Sequence, residues 1–323
     1  MPQPRPDNPE VSVVVISYNT RAMTLDCLRS VGAETRCRHE IILLDNNSGD
    51  GSAEAVAAEF PAVRLLAEAE NHGFAGGNNR AAARAQGEYL LLLNPDTLIV
   101  DGAIDRLLAF ARSHPQAGIW GGRTRFADGR LNPTSAHRQM SLWTLWCRAF
   151  GMTGLFPASA LFNAEAYGGW ARDTVARVDI VSGCFLMIRR DLWQALGGFD
   201  PAFFMYGEEA DLCLRAAARG ARPMITPQAE IIHHGGASER VRADKVVRLL
   251  AAKALLIDRH FPRWQRPAAR ALLALWPFTR ARVAGLRGTG GDGAVWHEVW
   301  QRRAEWRRGF VQAAGTPSRG AGG

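Results

Sequence analysis

The chain has 323 residues, of which 47% are hydrophobic, 22% charged and 9% aromatic. That balance excludes a disordered or collagen-like polymer and describes a folded protein. The formal net charge of +8 is unevenly placed: residues 241–323 hold 16 Lys and Arg against 5 Asp and Glu, so the first 240 residues carry a net −3. The proline-rich start has no apolar h-region, so no signal peptide is expected. The longest uncharged stretch, Ala149 to Ala164, is short of about 20 residues and is broken by Gly151, Gly154 and Pro157, so no membrane-spanning helix is expected either. Five cysteines, an odd number with no CxxC spacing, argue against a disulfide framework or a zinc knuckle, and a cytoplasmic setting is expected.

In chain order, Val11 to Ser17 is a short β-branched run that predicts a buried parallel strand. Residues 21–31 place Met23, Cys27, Leu28 and Val31 at helical spacing. Glu40–Asp45, Ala62–Leu66 and Tyr89–Asn94 predict three more strands, with an Ala-rich helix over Gly76–Gln86 before the last. Strands separated by helices imply βαβ units and a mostly parallel sheet, whose ligands bind beyond the carboxyl ends of the strands. Further on, Val178–Arg190 predicts one strand, Glu208–Gly220 a helix stopped by glycine, and ARPMITP and AEIIHH two short strands. Basic amphipathic patterns follow near 240–260, 264–283 and 294–311, the last two separated by a Gly-rich link. Residues 1–9 and 312–323 are expected to be disordered.

The strand ends carry the polar residues. The first ends in Ser17, Tyr18 and Asn19, not in a GxGxxG turn, which disfavours a nicotinamide enzyme. Asp45 ends the second, where it can accept hydrogen bonds from a ribose or base or cap the next helix. Asn71 to Asn79, with Gly73, forms a glycine-bearing helix entry that lets backbone approach a ligand. Asn94-Pro95-Asp96 closes the fourth strand; Asp96 suits a carboxylate holding a divalent metal against a diphosphate, or a helix cap. Glu208, Glu209 and Asp211 open a helix, where they complement its dipole or supply a general base. His233 and His234 close a strand as metal or phosphate ligands or as surface residues.

Taken together, VVVISYN at 13–19, LLDNNSGD at 43–50, ENHGFAGGNNRA at 70–81, LLLNPDT at 91–97, SGCFLMIRR at 182–190, GGFDPAFFMYGEEADLCLR at 197–215 and IIHHGGAS at 231–238 resemble the family 2 inverting glycosyltransferases, rhamnosyltransferase-like branch, over residues 10–240. The resemblance implies an α/β GT-A fold with a mostly parallel sheet (10–100 the nucleotide-binding half, 101–240 the acceptor half), and the basic amphipathic patterns beyond it predict a C-terminal helical extension over 241–311. It implies transfer of a sugar, L-rhamnose from dTDP-rhamnose foremost, to a glycan or polyprenyl-linked saccharide in cell-surface polysaccharide synthesis. By the same resemblance, Asp96 and His233 hold Mg²⁺ or Mn²⁺, with Asn94 at the first acidic position of the family's DxD motif. Glu209 is the base, with Glu208 its competitor. Ser17, Tyr18, Asn19, Asp45, Asn71, Gly73 and Asn79 serve the donor, and Ser182, Gly183 and Asp211 the acceptor side.

Five of the ten tryptophans (Trp264, Trp276, Trp296, Trp300, Trp306) lie in the basic tail. Lys and Arg are drawn to anionic headgroups and Trp to the interface, so the tail predicts amphipathic helices on the inner face of the cell membrane; helices packed on the catalytic body are the other reading. No recognition motif for nucleic acid accompanies the charge. Two other functions fit an acidic strand end: a nucleotidyltransferase, and a non-catalytic nucleotide-sugar or carbohydrate-binding module.

Overall fold

The computed structural model describes residues 8–235, 242–287 and 292–310. Most of 1–9, all of 312–323, part of the Gly-rich link and the end of the IIHHGGAS motif lie outside the described residues. The first half alternates β1 (Val11–Ser17), α1 (Arg21–Glu34), β2 (His39–Asp45), α2 (Ser52–Glu59), β3 (Arg64–Ala67), α3 (Gly73–Ala82) and β4 (Tyr89–Leu93). Next come β5 (Thr97–Ile99), α4 (Ala103–Ser113), β6 (Ile119–Arg125), β7 (Leu131–Asn132), β8 (Ala136–His137), α5 (Leu142–Ala149) and α6 (Met152–Leu155). β9 (Ala176–Arg177), β10 (Ile180–Val181), β11 (Phe185–Arg189), α7 (Arg190–Leu196), α8 (Glu208–Ala218) and β12 (Met224–His233) follow. Four helices end the described chain: α9 (Arg242–His260), α10 (Arg266–Arg287), α11 (Asp292–Gln301) and α12 (Arg303–Trp306).

The main sheet runs β3-β2-β1-β4-β11-β6-β12-β5. Its first four strands are parallel, with Val11 opposite both His39 and Tyr89. β11 inserts antiparallel between β4 and β6, and β12 returns parallel to β6. All seven residues of β1 are buried, as a strand covered on both faces requires. Side chains alternate between the faces: Val11, Val13 and Val15 join a core with Leu28, Leu91 and Leu107, while Val14 and Ile16 join one with Leu92, Leu212 and Ile257. The chain reverses its direction of winding between β1 and β4. The ends of those two strands, at Ser17–Tyr18 and Asn94–Asp96, therefore flank the crevice where ligands bind in such sheets.

Three expectations need correction. Val178–Arg190 is not one strand: Ser182–Gly183 breaks it, β10 pairs with β8 in a separate two-stranded sheet, and β11 joins the main sheet. ARPMITP and AEIIHH are one strand, β12, because a register shift between Thr226 and Glu230 accommodates Pro227. The Ala-rich helix begins at Gly73, not Gly76.

That early start depends on Gly73, whose φ of +69° is left-handed. A Cβ there would fall onto the Phe204 carbonyl oxygen, which accepts the Phe74 N–H at 2.9 Å. Gly73→Ala is expected to destabilise the fold by about 2–4 kcal/mol, read by denaturant titration, from a left-handed alanine added to an overpacked contact.

The basic tail packs on the body. Val247, Leu250, Ala254 and Ile257 of α9 join the core that contains Val14 and Leu92, and Trp276 and Trp306 are buried against it. Trp264 alone of the five tail tryptophans is largely exposed. Among the described residues no helix is long and apolar enough to cross a membrane.

Candidate active site

A cleft of 940 Å³ opens over the ends of β1 and β4, a volume suited to a nucleotide-sized ligand. It gathers Tyr18, Asn71, Gly73, Asn94, Asp96, Ser182, Gly183, Glu208, Glu209 and His233. The two groups of acids that the sequence separates by more than a hundred residues thus face one space.

At the sheet end, β12 brings His233 beside β4. Its Nε2 lies 3.3 Å from Asp96 Oδ1 and 3.4 Å from Asn94 Nδ2. Burial opposes the charge on Asp96, but the His233 hydrogen bond and charge outweigh it and hold the carboxyl below its usual range. Burial likewise works against a cationic His233, yet Cys184 and Asp96 beside it raise it to about 10. Asn94 Oδ1 and His233 Nδ1 are buried without a hydrogen-bond partner, which is costly unless a ligand completes them. Among the described residues no three His, Cys, Asp or Glu side chains converge as a closed ligand set. A carboxylate and an amide oxygen at one rim fit a divalent cation that takes its remaining oxygens from a bound diphosphate, and His233 joins them by giving up the proton that Asp96 favours in the free site.

The same cleft is lined from α8, which starts after left-handed Gly207 with Glu208 and Glu209 in its first turn. Glu208 is buried, and its Oε2 has no partner. Burial and the neighbouring Glu209 push its pKa well up. Burial also raises Glu209, but the Lys253 ammonium and backbone N–H groups pull the other way, and Glu209 stays half-open to the cleft. Two adjacent carboxyls that divide in this way leave Glu209 the more readily ionised. Gly183 leaves room beside it: a Cβ at 183 would come 3.3 Å from the Phe74 ring and 3.8 Å from Glu209 Cβ.

Other expected residues act from behind the cleft. Ser17 Oγ is buried among Thr20 and Thr24, and Asn79 clamps Phe199 through its N–H and carbonyl. Asn19 ties the β1 end to the β2 end by accepting the Gly49 N–H and donating its own to Ser48. Asp45 accepts the Ser48 N–H through Oδ2, while its buried Oδ1 has no partner. Asp211 is turned away from the cleft, accepting from Arg215 at 2.6 Å and pairing with His260 at 2.8 Å. It holds α8 to α9.

The sequence reading missed Asn46, which lines the cleft and grips the 72–73 loop by accepting the His72 N–H and donating to the Gly73 carbonyl. It also missed a buried cluster at the other end of the cleft. There Lys253 Nζ lies 2.5 Å from Glu165 Oε1, and Arg148 Nε donates to Glu165 Oε2 at 3.0 Å. Burial opposes charge on Glu165, but both cations outweigh it and hold its carboxyl far below the usual range. His137, lining the same end, is pushed down to about 4 by burial. One signal was available: Lys253 sits among Leu249, Leu250, Leu256 and Ile257, a lone charge on the apolar face of α9.

Comparison with known proteins gives the family and the fold. Residues 12–196 match the sequence profile of glycosyl transferase family 2. The chain is 30% identical over 280 residues to an N-acetylglucosaminyl-diphospho-decaprenol L-rhamnosyltransferase of Mycobacterium tuberculosis, covering 79% of this chain and 86% of that one. It is 24% identical to Rhamnosyltransferase WbbL of Escherichia coli, covering 78% and 97%. In structure it resembles mannosyltransferase PcManGT from Pyrobaculum calidifontis, solved with GDP-Man and Mn²⁺, with a TM-score of 0.56, 18% identity and coverage of 92% and 81%. The chain belongs to glycosyl transferase family 2, on its rhamnosyltransferase-like branch, and has the GT-A fold.

Proposed function

We propose that this glycosyltransferase moves L-rhamnose from dTDP-L-rhamnose to a hydroxyl of a polyprenyl-linked saccharide in cell-surface polysaccharide synthesis, with inversion at the anomeric carbon. The observation that carries this reading is one cleft lined both by Asp96 and His233, from the sheet end, and by Glu208 and Glu209, from the first turn of α8. A single displacement needs both: one pair neutralises the departing diphosphate, and the other removes a proton from the incoming alcohol on the opposite face. The names of the two rhamnosyltransferases above support the sugar, and that of the mycobacterial relative supports a lipid diphosphate acceptor.

Asp96 and His233, with Asn94 beside them, would hold Mg²⁺ or Mn²⁺. Bound there, the cation supplies Lewis-acid neutralisation of the leaving diphosphate. Tyr18, Asn71 and Gly73, which line the cleft, are assigned to the nucleotide, using residues 10–100. Ser182 and Gly183, with the 137–165 wall, are assigned to the acceptor. Glu209 accepts the acceptor's hydroxyl proton as the oxygen forms its bond to the anomeric carbon. Glu208, whose neutral form is favoured by burial and by Glu209, stands beside the base. The excess of bases over residues 241–311 supports a peripheral place on the cytoplasmic face of an anionic membrane.

The test is a panel of nucleotide-sugars with and without Mn²⁺, scored for nucleoside diphosphate release and product configuration. Release of dTDP with an anomeric centre opposite to the donor's is expected. Absence of turnover with every donor would favour a binding module, and release of sugar 1-phosphate, the leaving group of attack at the α-phosphorus, a nucleotidyltransferase.

Lys253 gives a second check. Its cation favours the charged form of Glu209, so Lys253→Met raises the Glu209 pKa and moves the acid limb of the kcat profile to higher pH. Lys253→Arg restores the limb. A limb unmoved by Lys253→Met would separate Lys253 from the base.

A further inference from the structure

We propose that the outer face of α5 and α6, flanked by the arginines of α10, is the surface by which the protein docks on an anionic lipid bilayer. Six of the eleven large apolar side chains exposed among the described residues fall in one stretch: Trp143, Trp146, Phe150, Leu155, Phe156 and Leu161. Leu155 is 70% exposed and Leu161 59%. They are not scattered. Trp143 stacks on Trp146 at 5.3 Å, Trp146 meets Phe150 at 5.0 Å, and Phe162 joins Trp143 to Phe156 at 6.1 and 5.1 Å. A continuous apolar surface of this kind marks an interaction site.

Charge selects the occupant. No acid occurs between Asp128 and Glu165, where Arg130, Arg138 and Arg148 are the charged residues. None occurs between Asp258 and Asp292 either, a stretch with seven arginines. These two segments are packed together: Thr279 Oγ1 of α10 donates to the Ala149 carbonyl, and the guanidinium of Arg280 lies against Gly154. Val283 and Arg282 are exposed on the same stretch of α10. Trp and Phe beside Arg280 and Arg282, neither of which pairs with a carboxylate among the described residues, complement an anionic headgroup layer above acyl chains. Four of the five tail tryptophans expected to make this contact are otherwise engaged, since Trp276 and Trp306 are buried and Trp296 and Trp300 are packed on the core.

The position also serves the cleft. Arg138, Gln139, Met140 and Arg148 of the same segment line its wall, so a saccharide reaching in from a membrane anchor would enter from this side. That benefit rests on the proposed lipid-linked acceptor; the docking itself does not.

The test is co-sedimentation of the full chain, without donor or acceptor, with phosphatidylcholine vesicles with and without phosphatidylglycerol. The wild type is expected to bind when phosphatidylglycerol is present. Leu155→Ser and Phe156→Ser should each weaken binding about tenfold, while Trp264→Ser leaves it unchanged. Leu155 is so exposed that its loss should not disturb folding, which a thermal melt confirms. The proposal is overturned if the wild type ignores anionic vesicles, if the two variants bind as it does, or if light scattering shows a dimer that Leu155→Ser dissociates. Because no sugar is transferred in this assay, its failure leaves the transferase reading standing, and loss of transfer leaves the docking result standing.

Discussion

Glu209→Gln is expected to lower kcat by about 10²- to 10⁴-fold, the usual worth of a general base, with little change in donor affinity. The amide keeps the size of the side chain and its place beside Gly183, but cannot take the acceptor's proton. Glu208→Gln should cost far less, because burial and the neighbouring Glu209 favour the neutral form of its side chain, which an amide resembles. Pre-steady-state measurement of sugar transfer with saturating donor separates the two. Should Glu208→Gln abolish transfer while Glu209→Gln keeps it, the roles are exchanged.

Asp96→Ala is expected to weaken binding of nucleoside diphosphate in the presence of Mn²⁺ at least about 100-fold, measured by calorimetry. The loss should shrink when Mn²⁺ is left out, because Asp96 is assigned to the cation and not to the base or ribose. The variant also removes the carboxylate that His233 faces at 3.3 Å. Nucleotide binding with and without metal that matches the wild type would end the assignment of Asp96.

Much of this arrangement is legible in the order of residues, for physical reasons. β1, β2 and β4 form around short apolar runs that pair as strands, and the polar residues at or just after their ends, Ser17, Asp45 and Asn94, lie at the crevice end of the sheet. Asn94, Asp96, Glu208, Glu209 and His233 could be picked out because a charged or polar side chain at such a border is costly without a use. Ser17, Asn79 and Asp211 carry the same polar character yet spend it on Thr20 and Thr24, on Phe199, and on Arg215 and His260. Sequence does not tell a polar group that binds a ligand from one that braces the loop behind it. The apolar run at 178–190 hid a change of sheet, since hydrophobicity continues across Ser182–Gly183 while pairing does not. The Lys253–Glu165–Arg148 cluster draws on three distant segments, and their meeting is a property of the packed fold.

The insertion of α9 into the sheet's core has a practical meaning for anyone shortening this protein. The family profile match stops at residue 196 and the motifs at 238, which invites recombinant versions trimmed soon afterwards. Such a truncation would uncover the greasy seat now filled by Leu250, Ala254 and Ile257. It would also delete the ammonium opposite Glu165 and the imidazole that braces Asp211. A trimmed product would therefore be insoluble before it could be inactive, and silence in its assay would say nothing about the chemistry.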